Sequence, residues 1–258
     1  AALRRNEGIN MDVSAFFAPP EILGAKRALC IQPHADDNEI GMGGTIAALA
    51  ARGCEIHYLT VTNGDLGAQA GPCDPKQLAD TRRAEAEAAG RALGASVFHW
   101  FDEPDGSLEH IPALAEKIAE LIRTVQPDVI FCPDPWALYE AHQDHIVTGK
   151  AAAQAFLSAS LAQYPRGTKT APWQPGAIGF YFTQNPNTVV DVTDTFEAKF
   201  AAMALHRSQL NEQLLSLYRI YFSMQGQKLA EGRGFALGEG LKVLSPLHVH
   251  CFVEAPGI

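Results

Sequence analysis

The sequence has little cysteine and lacks any paired cysteine motif. An odd number of cysteines occurs, with no CxxC or CxC spacing: Cys30, Cys54, Cys73, Cys132 and Cys251. This usage argues against a disulfide framework and against a thiolate zinc site. Cys30 and Cys132 lie inside apolar runs and are expected to be small core residues. Because free thiols are typical of a reducing compartment, a cytoplasmic location is predicted.

The chain also lacks long apolar runs and an excess of basic residues. No stretch of about 18 apolar residues occurs. The short apolar run at 16–18 ends at Pro19-Pro20, so neither a membrane span nor a signal peptide is predicted. The net charge is -9, which argues against a nucleic-acid partner and against anionic lipid. A neutral or cationic small molecule is the expected ligand.

The composition itself is typical of one folded domain. The 258 residues are 47% hydrophobic, which is too apolar for a disordered chain. An α/β fold of about 250 residues can form a single unit, and no composition break, repeat or low-complexity tract indicates a second one. Residues 1–258 are therefore interpreted as one domain, with residues 1–24 as an N-terminal extension.

Short apolar runs alternate with helical periodicity after Gly24. Strands are predicted at 27–32, 55–61, 97–101 and 129–132, and helices at 39–52, 77–93, 111–125 and 146–162. This alternation predicts an α/β fold with a doubly wound, mostly parallel sheet and helices on both faces. Nearer the carboxyl end, the pattern predicts strands at 178–182, 188–192 and 249–253 and mostly helical structure over 196–222.

Two segments rich in His and Asp follow the first and fourth predicted strands, at 33–39 and 139–145. The carboxyl ends of parallel strands share one edge of the sheet, where ligands bind at a topological switch point. The two segments are therefore expected to converge there. Zinc accepts imidazole and carboxylate ligands, and a catalytic site leaves one position for water. The spacing favours a metal site formed by His34, Asp37 and His145.

Two neighbours of these residues are candidates for proton transfer. Asp36 can accept a proton from water, and His142 can donate a proton or stabilise an oxyanion. Simpler interpretations exist for each segment alone, because an Asp-Asp pair is often a helix N-cap and surface histidines are common. The glycines after Glu39 lack the G-x-G-x-x-G spacing of a dinucleotide site, and no G-x-S-x-G serine motif occurs.

Residues 33–45, PHADDNEIGMGGT, strongly resemble the first motif of the PIG-L/LmbE-like deacetylases, H-x-D-D-x-E-[IL]-G-x-G-G-T. Residues 142–145, HQDH, resemble their second motif, usually H-P-D-H. Shorter matches recur at 81–85 with 93–94, 104–106, 127–129, 191–193 and 206–209. Ala35 and Gln143 replace prolines that are common in the family, and neither departure removes a chemical residue.

The resemblance implies a Rossmann-like fold, often assembled into trimers or hexamers. It also implies a zinc-dependent hydrolase that removes acetyl groups from N-acetylglucosamine-type amides. By motif position the zinc ligands would be His34, Asp37 and His145. Asp36 would be the general base and His142 the electrostatic or acid partner. Arg82 matches a substrate-contacting arginine, with Arg83 as the alternative if the register shifts by one.

Several neighbouring residues keep two interpretations. Trp136 and Tyr139 could stack on a sugar ring or anchor their loop, and Asp65 could contact sugar hydroxyls or form a turn. Other expectations concern Asp144, which could orient a histidine, Glu39, interpreted as a helix cap, and 102–105, interpreted as a solvated loop. His206 could reach the site or a neighbouring subunit. His248 and His250 alternate on one face of a possible strand, a spacing that could bind metal but that favours a structural or interface role.

Other functions remain open at this point. A metal-dependent hydrolase or hydratase for a different small metabolite could use the same water. A non-catalytic sugar-binding or metal-binding protein is a third candidate, which the intact Asp36 and His142 disfavour. Ferrous iron or cobalt could occupy the same nitrogen and oxygen ligands as zinc.

Overall fold

A computed structural model of the chain describes residues 18–69 and 71–258. Within these residues the strands are β1 (Arg27–Gln32), β2 (Glu55–Thr62), β3 (Ala95–Glu103), β4 (Val129–Pro133), β5 (Ala177–Tyr181), β6 (Thr188–Asp191) and β7 (Gly238–Leu244). The α-helices are α1 (Asp37–Ala51), α2 (Pro75–Ala92), α3 (Ile111–Val125), α4 (Gln143–Ser158), α5 (Phe196–Met203) and α6 (Glu212–Ala230). No helix in this part of the chain is long and apolar enough to cross a membrane. The first 17 residues of the predicted N-terminal extension lie outside the described residues.

The strands form one sheet in the order β3-β2-β1-β4-β5-β7-β6. Strands β1 to β5 pair in parallel, whereas β7 pairs antiparallel with both β5 and β6. The order reverses between β1 and β4, which makes their carboxyl ends the topological switch point. The predicted α/β fold with a mostly parallel sheet is confirmed.

Helices cover both faces of the sheet because the strand side chains alternate between the two faces. Cys30 of β1 faces the layer that contains α1, α2 and α5. Its neighbours Leu29 and Ile31 face the layer formed by α3 and α4. Cys30 and Cys132 are fully buried, which confirms that both are core residues.

Glycines allow α1 to pack closely on the sheet. The helix is interrupted at Met42, whose φ of -151° and ψ of 30° are not helical. A Cβ atom on Gly41 would lie 2.4 Å from Cδ2 of Tyr181, and one on Gly44 would lie 2.8 Å from Cγ1 of Val192. The glycine run therefore fixes how closely the start of α1, with its acidic residues, approaches the strands.

The carboxyl-terminal part departs from the sequence prediction. The predicted helix over 196–222 is two helices, α5 and α6, with turns between them, and Asn211 caps α6 by accepting a hydrogen bond from the Leu214 N–H at 2.9 Å. The predicted strand over 249–253 is wrong. The chain turns there, because the Ser245 N–H bonds to Nδ1 of His248 at 3.2 Å and Cys251 has a positive φ of 56°.

Candidate metal centre

The structure brings together the three predicted metal ligands at the ends of β1 and β4. His34 follows β1, Asp37 is the first residue of α1, and His145 lies in the first turn of α4. Nδ1 of His34 is 3.2 Å from Oδ2 of Asp37, and Nε2 of His145 is 3.3 Å from Oδ1 of the same carboxylate. All three side chains are buried, and their ligand atoms lie within 4.8 Å of one another.

This donor set fits a divalent metal ion. Two imidazole nitrogens and one carboxylate form a three-ligand set that leaves a coordination position for water, as catalytic zinc sites do. The backbone N–H of His34 donates to Oδ2 of Asp37 at 2.8 Å, so the turn itself orients the carboxylate. The neighbouring histidines hold the pKa of Asp37 well below its usual range despite its burial.

Two further carboxylates lie behind His34. Its Nε2 is 3.2 Å from Oδ1 of Asp105 and 3.3 Å from Oδ2 of Asp144. Asp144 also accepts the backbone N–H groups of Gly106 and Leu108, at 2.7 and 3.1 Å. Carboxylates of this kind orient a ligating imidazole and raise its basicity. Although burial lowers the pKa of His34, its three carboxylate neighbours raise it to about 12.

The position of Asp105 was missed at the sequence level. The expectation of a solvated loop over 102–105 is wrong, because Asp102 and Glu103 end strand β3 and Asp105 is buried. Its carboxylate contacts His34 and lies 3.7 Å from Nη1 of Arg82. The signal that could have found it is the match at 104–106 to a segment that recurs in the resembled family.

Asp36 lies beside the three ligands and faces Arg82. It stands at the N-cap position of α1, yet its side chain makes no capping hydrogen bond. Nη2 of Arg82 is 3.5 Å from Oδ1 of Asp36, and Nη1 donates to the carbonyl of Gly64 at 3.0 Å. Burial and the charge of Asp37 raise the pKa of Asp36, and the Arg82 guanidinium opposes that rise. Arg82 is thus a buried residue whose guanidinium faces the carboxylates of Asp36 and Asp105.

His142 lies at the open side of the cluster. Its ring centroid is 4.5 Å from that of His34 and 5.2 Å from that of His145, while the residue itself is exposed. Partial desolvation of the ring and the two neighbouring histidines lower the pKa of His142. Glu140, which the sequence did not indicate, accepts the His142 N–H at 2.7 Å and lies 3.4 Å from Nδ1 of His145.

The predicted sugar-contacting residues are placed at different depths. Trp136 is exposed at the surface, with its ring against Phe180 at a centroid distance of 5.5 Å. Tyr139 is 96% exposed and has a positive φ of 69°. Asp65 is half-buried and accepts the backbone N–H of Asp105 at 3.3 Å, which places it next to the cluster. A contact of these side chains with sugar stays a prediction.

A buried pair lies beneath the site. Glu39 is fully buried, and its carboxylate oxygens accept no backbone N–H at the start of α1, so its interpretation as a helix cap is wrong. Its Oε2 is 3.3 Å from Nε2 of His206, which is also buried and lies in the turn between α5 and α6. Burial lowers the pKa of His206, but the Glu39 carboxylate raises it above its usual value. His248 is buried in the turn after β7, and His250 is exposed.

Comparison with known proteins agrees with this arrangement. The model of the PIG-L family, described as GlcNAc-PI de-N-acetylase, matches residues 29–156. The chain is 34% identical over 235 residues to the diacetylchitobiose deacetylase of Thermococcus kodakarensis, and the match covers 87% of this chain and 88% of that protein. The chain belongs to the PIG-L family.

Further similar proteins extend the comparison. The solved structure of the N,N'-diacetylchitobiose deacetylase from Pyrococcus horikoshii has a TM-score of 0.87 and 32% identity, covering 98% of this chain and 100% of that chain. The 4-oxalmesaconate hydratase of Pseudomonas putida is 27% identical over 86% of this chain and 90% of that protein. Similar chains therefore include both deacetylases and a hydratase.

Proposed function

We propose that the protein is a zinc-dependent deacetylase that removes the N-acetyl group of a small molecule containing N-acetylglucosamine, releasing acetate and a free amine. One observation carries the proposal. His34, Asp37 and His145 form a buried cluster that could hold a metal ion, and Asp36 and His142 lie next to it. The similarity to diacetylchitobiose deacetylases over nearly the whole chain supports the same reaction.

The side chains have distinct roles in this reaction. A zinc ion held by His34, Asp37 and His145 would supply a Lewis acid for the carbonyl and lower the pKa of water. Asp36 accepts the proton of the attacking water. Its contact with Arg82 keeps the carboxylate oriented. His142, at the open side of the cluster, stabilises the developing oxyanion. The proton that Asp36 took from water then passes to the nitrogen of the amide, the C–N bond breaks, and the free amine and acetate leave.

An acetate-release assay tests the activity. The zinc-loaded protein is incubated with N-acetylglucosamine, diacetylchitobiose and N-acetylglucosamine conjugates of inositol and malate. If the proposal is correct, at least one of these compounds yields acetate and free amine in equal amounts. Asp36→Asn should keep the bound metal and lower kcat about 10²–10⁴-fold, the contribution of a general base. Full activity of that variant would exclude Asp36 as the base.

A second candidate is hydration of a small unsaturated acid, favoured by the similarity to the 4-oxalmesaconate hydratase. The same water and the same base would add water across a double bond. Loss of the ultraviolet absorbance of a conjugated unsaturated acid, without acetate release from any N-acetylated compound, would favour this candidate over the deacetylase.

Further properties are proposed with the activity. The nitrogen and oxygen donors favour zinc, which metal analysis of the purified protein tests against iron and cobalt. A trimer or hexamer is proposed from the family resemblance and is tested by light scattering. A single domain over residues 1–258 is tested by one cooperative thermal transition. A cytoplasmic location is proposed from the free cysteines and is tested by cell fractionation.

A further inference from the structure

Glu140 lies on the loop between β4 and α4, at the edge of the candidate metal centre, and the proposed reaction gives it no role. Its side chain is only 24% exposed, although the loop around it lies at the surface. The preceding residue, Tyr139, has a positive φ of 69°, a conformation that is uncommon for residues other than glycine. The chain therefore turns sharply after Tyr139, and the Glu140 carboxylate faces His142 and His145.

The first contact of Glu140 is with the proposed ligand His145. Nε2 of His145 faces the ligand cluster, 3.3 Å from Oδ1 of Asp37, so a metal ion in the cluster would be bound through this nitrogen. A neutral imidazole that binds a metal through one ring nitrogen carries its proton on the other. That other nitrogen, Nδ1, lies 3.4 Å from Oε2 of Glu140.

The Nδ1 atom of His145 needs an acceptor for its proton. It is buried, and within residues 18–69 and 71–258 it makes no hydrogen bond of full geometry. A buried donor left without a partner is costly. The Glu140 carboxylate, at 3.4 Å, is the group that can accept this proton after a small rotation of its side chain.

The second contact of Glu140 is with the backbone of His142. Oε1 of Glu140 accepts the His142 N–H at 2.7 Å. The His142 carbonyl in turn accepts the N–H groups of His145 and Ile146, at 3.1 and 3.3 Å. One carboxylate therefore faces a proposed metal ligand with one oxygen and, with the other, holds the residue proposed to stabilise the oxyanion.

The other imidazole of the ligand set has support of the same kind. Nε2 of His34 faces Asp105 and Asp144, at 3.2 and 3.3 Å. Asp144 is fully buried and is fixed by two backbone N–H groups, whereas Glu140 is partly exposed and belongs to a loop. Each imidazole thus has a carboxylate on its outer nitrogen, and Glu140 can be replaced without opening the core.

We propose that Glu140 is a positioning residue of the metal centre. It keeps the proton of His145 on Nδ1, which leaves Nε2 for the metal, and it fixes His142 where the oxyanion develops. The proposal rests on the metal-dependent function proposed above. A carboxylate partner of a ligating histidine typically contributes about 10–100-fold to metal affinity or activity.

Metal affinity and steady-state kinetics provide the first test. Glu140→Ala should bind zinc about 10–100-fold more weakly in competition with a chromogenic chelator. Glu140→Gln, whose amide oxygen still accepts a hydrogen bond, should recover part of this loss. At saturating zinc, Glu140→Ala should lower kcat for acetate release and leave KM nearly unchanged, because an oxyanion contact acts in the transition state. Glu109→Ala, which changes an exposed glutamate before α3, is the matched control and should behave as the native protein does.

Proton NMR of the cobalt-substituted protein provides a readout that a general loss of stability would not change. Cobalt accepts the same nitrogen and oxygen ligands. The native protein should show two paramagnetically shifted N–H signals that exchange with water, one from Nδ1 of His145 and one from Nε2 of His34. Glu140→Ala should lose only the His145 signal, because its proton then exchanges faster with water. Asp105→Asn should alter the His34 signal instead, which assigns the two.

Three results would overturn the proposal. Glu140→Ala could bind zinc with native affinity, it could keep the native kcat at saturating zinc, or it could retain both exchangeable signals. A native protein that bound no zinc would overturn both this proposal and the proposed function. A native protein that bound zinc but released no acetate would overturn the proposed deacetylation only, because zinc affinity and the exchangeable signals would still test Glu140.

Discussion

Two clusters of buried charged residues contact α1, and they differ in how far their positive and negative charges balance. The cluster around Glu239 holds one carboxylate that accepts four hydrogen bonds. The donors are Nζ of Lys199 at 2.7 Å, the N–H groups of Gly44 and Thr45 at 3.1 and 2.7 Å, and the Thr45 hydroxyl at 2.8 Å. The cluster around His34 instead gathers three carboxylates on one ring, from Asp37, Asp105 and Asp144.

The difference separates a structural role from a binding role. Buried charges are stable only when partners compensate for their lost hydration. Glu239 meets this condition within the chain, and it bonds to α1 just after the break at Met42. Around His34 the carboxylates outnumber the nearby cations, so a metal ion would complete the balance. A cluster satisfied by its own chain therefore builds the scaffold, and one with excess charge is available to a ligand.

The largest effect is expected from removing a metal ligand. His145→Ala leaves Asp37 and His34 without their third partner, so bound metal and acetate release should both fall to background. The loss of activity should exceed the about 10²–10⁴-fold contributed by a general base. Metal analysis and the acetate assay check this expectation. His250→Ala, which changes an exposed histidine, is the control. Retained stoichiometric metal in His145→Ala would remove this residue from the ligand set.

Removing the scaffold carboxylate should affect stability instead of chemistry. Glu239→Ala leaves Lys199 buried without a partner, and breaking a buried ion pair lowers the free energy of unfolding by about 3–5 kcal/mol. Urea unfolding measures this change. Glu116→Ala, an exposed site on α3, is the control.

Two results would contradict a structural role for Glu239. The Glu239→Ala variant could be as stable as the native protein, or its folded fraction could fail to bind metal. Glu239→Gln should be intermediate, because the amide oxygen still accepts from Thr45 but carries no charge for Lys199.

Elements with strong local periodicity could be predicted from the sequence. The bounds of β1 and α3 agree residue for residue with the prediction, because their apolar spacing reflects a buried face in a simple strand-helix alternation. The position of β7 could not be predicted. Its pairing with β5 and β6 is antiparallel and long-range, and glycines at 238 and 240 weaken its strand pattern.

In the site, too, the motif residues could be predicted from the sequence, whereas residues placed by contacts distant in sequence could not. The motif residues His34, Asp37 and His145 converge because the strand ends share one edge of the sheet. The polar composition of its loop does not predict the burial of Asp105, since that burial depends on contacts with His34 and Arg82. The break between α5 and α6 also depends on tertiary structure, because His206 pairs with Glu39 of α1.

A smaller loss of metal affinity is expected from changing Asp105, a carboxylate that contacts the proposed ligand His34. Asp105→Asn keeps the shape of the side chain but removes one of the charges that face Nε2 of His34. Changes to the carboxylate partner of a ligating histidine typically lower metal affinity or activity about 10–100-fold. Competition with a chromogenic chelator measures the affinity. Asp102→Asn is the matched control, because Asp102 lies near the end of β3, is exposed and pairs with Arg83. Equal metal affinity in Asp105→Asn and the native protein would show that His34 needs no carboxylate there.

The smallest effect is expected for an ion pair outside both clusters. Oε1 of Glu197 accepts from Nη1 of Arg219 at 2.6 Å, with side chains 76% and 44% exposed. Water already solvates both groups, so Glu197→Gln should change the free energy of unfolding by at most about 1 kcal/mol. Added salt should reduce even that difference, because exposed charges are screened. Urea unfolding at two salt concentrations checks both expectations. If this variant were destabilised as much as Glu239→Ala, burial would not be what distinguishes the charges of the α1 clusters, and the division into scaffold and binding charge would fail.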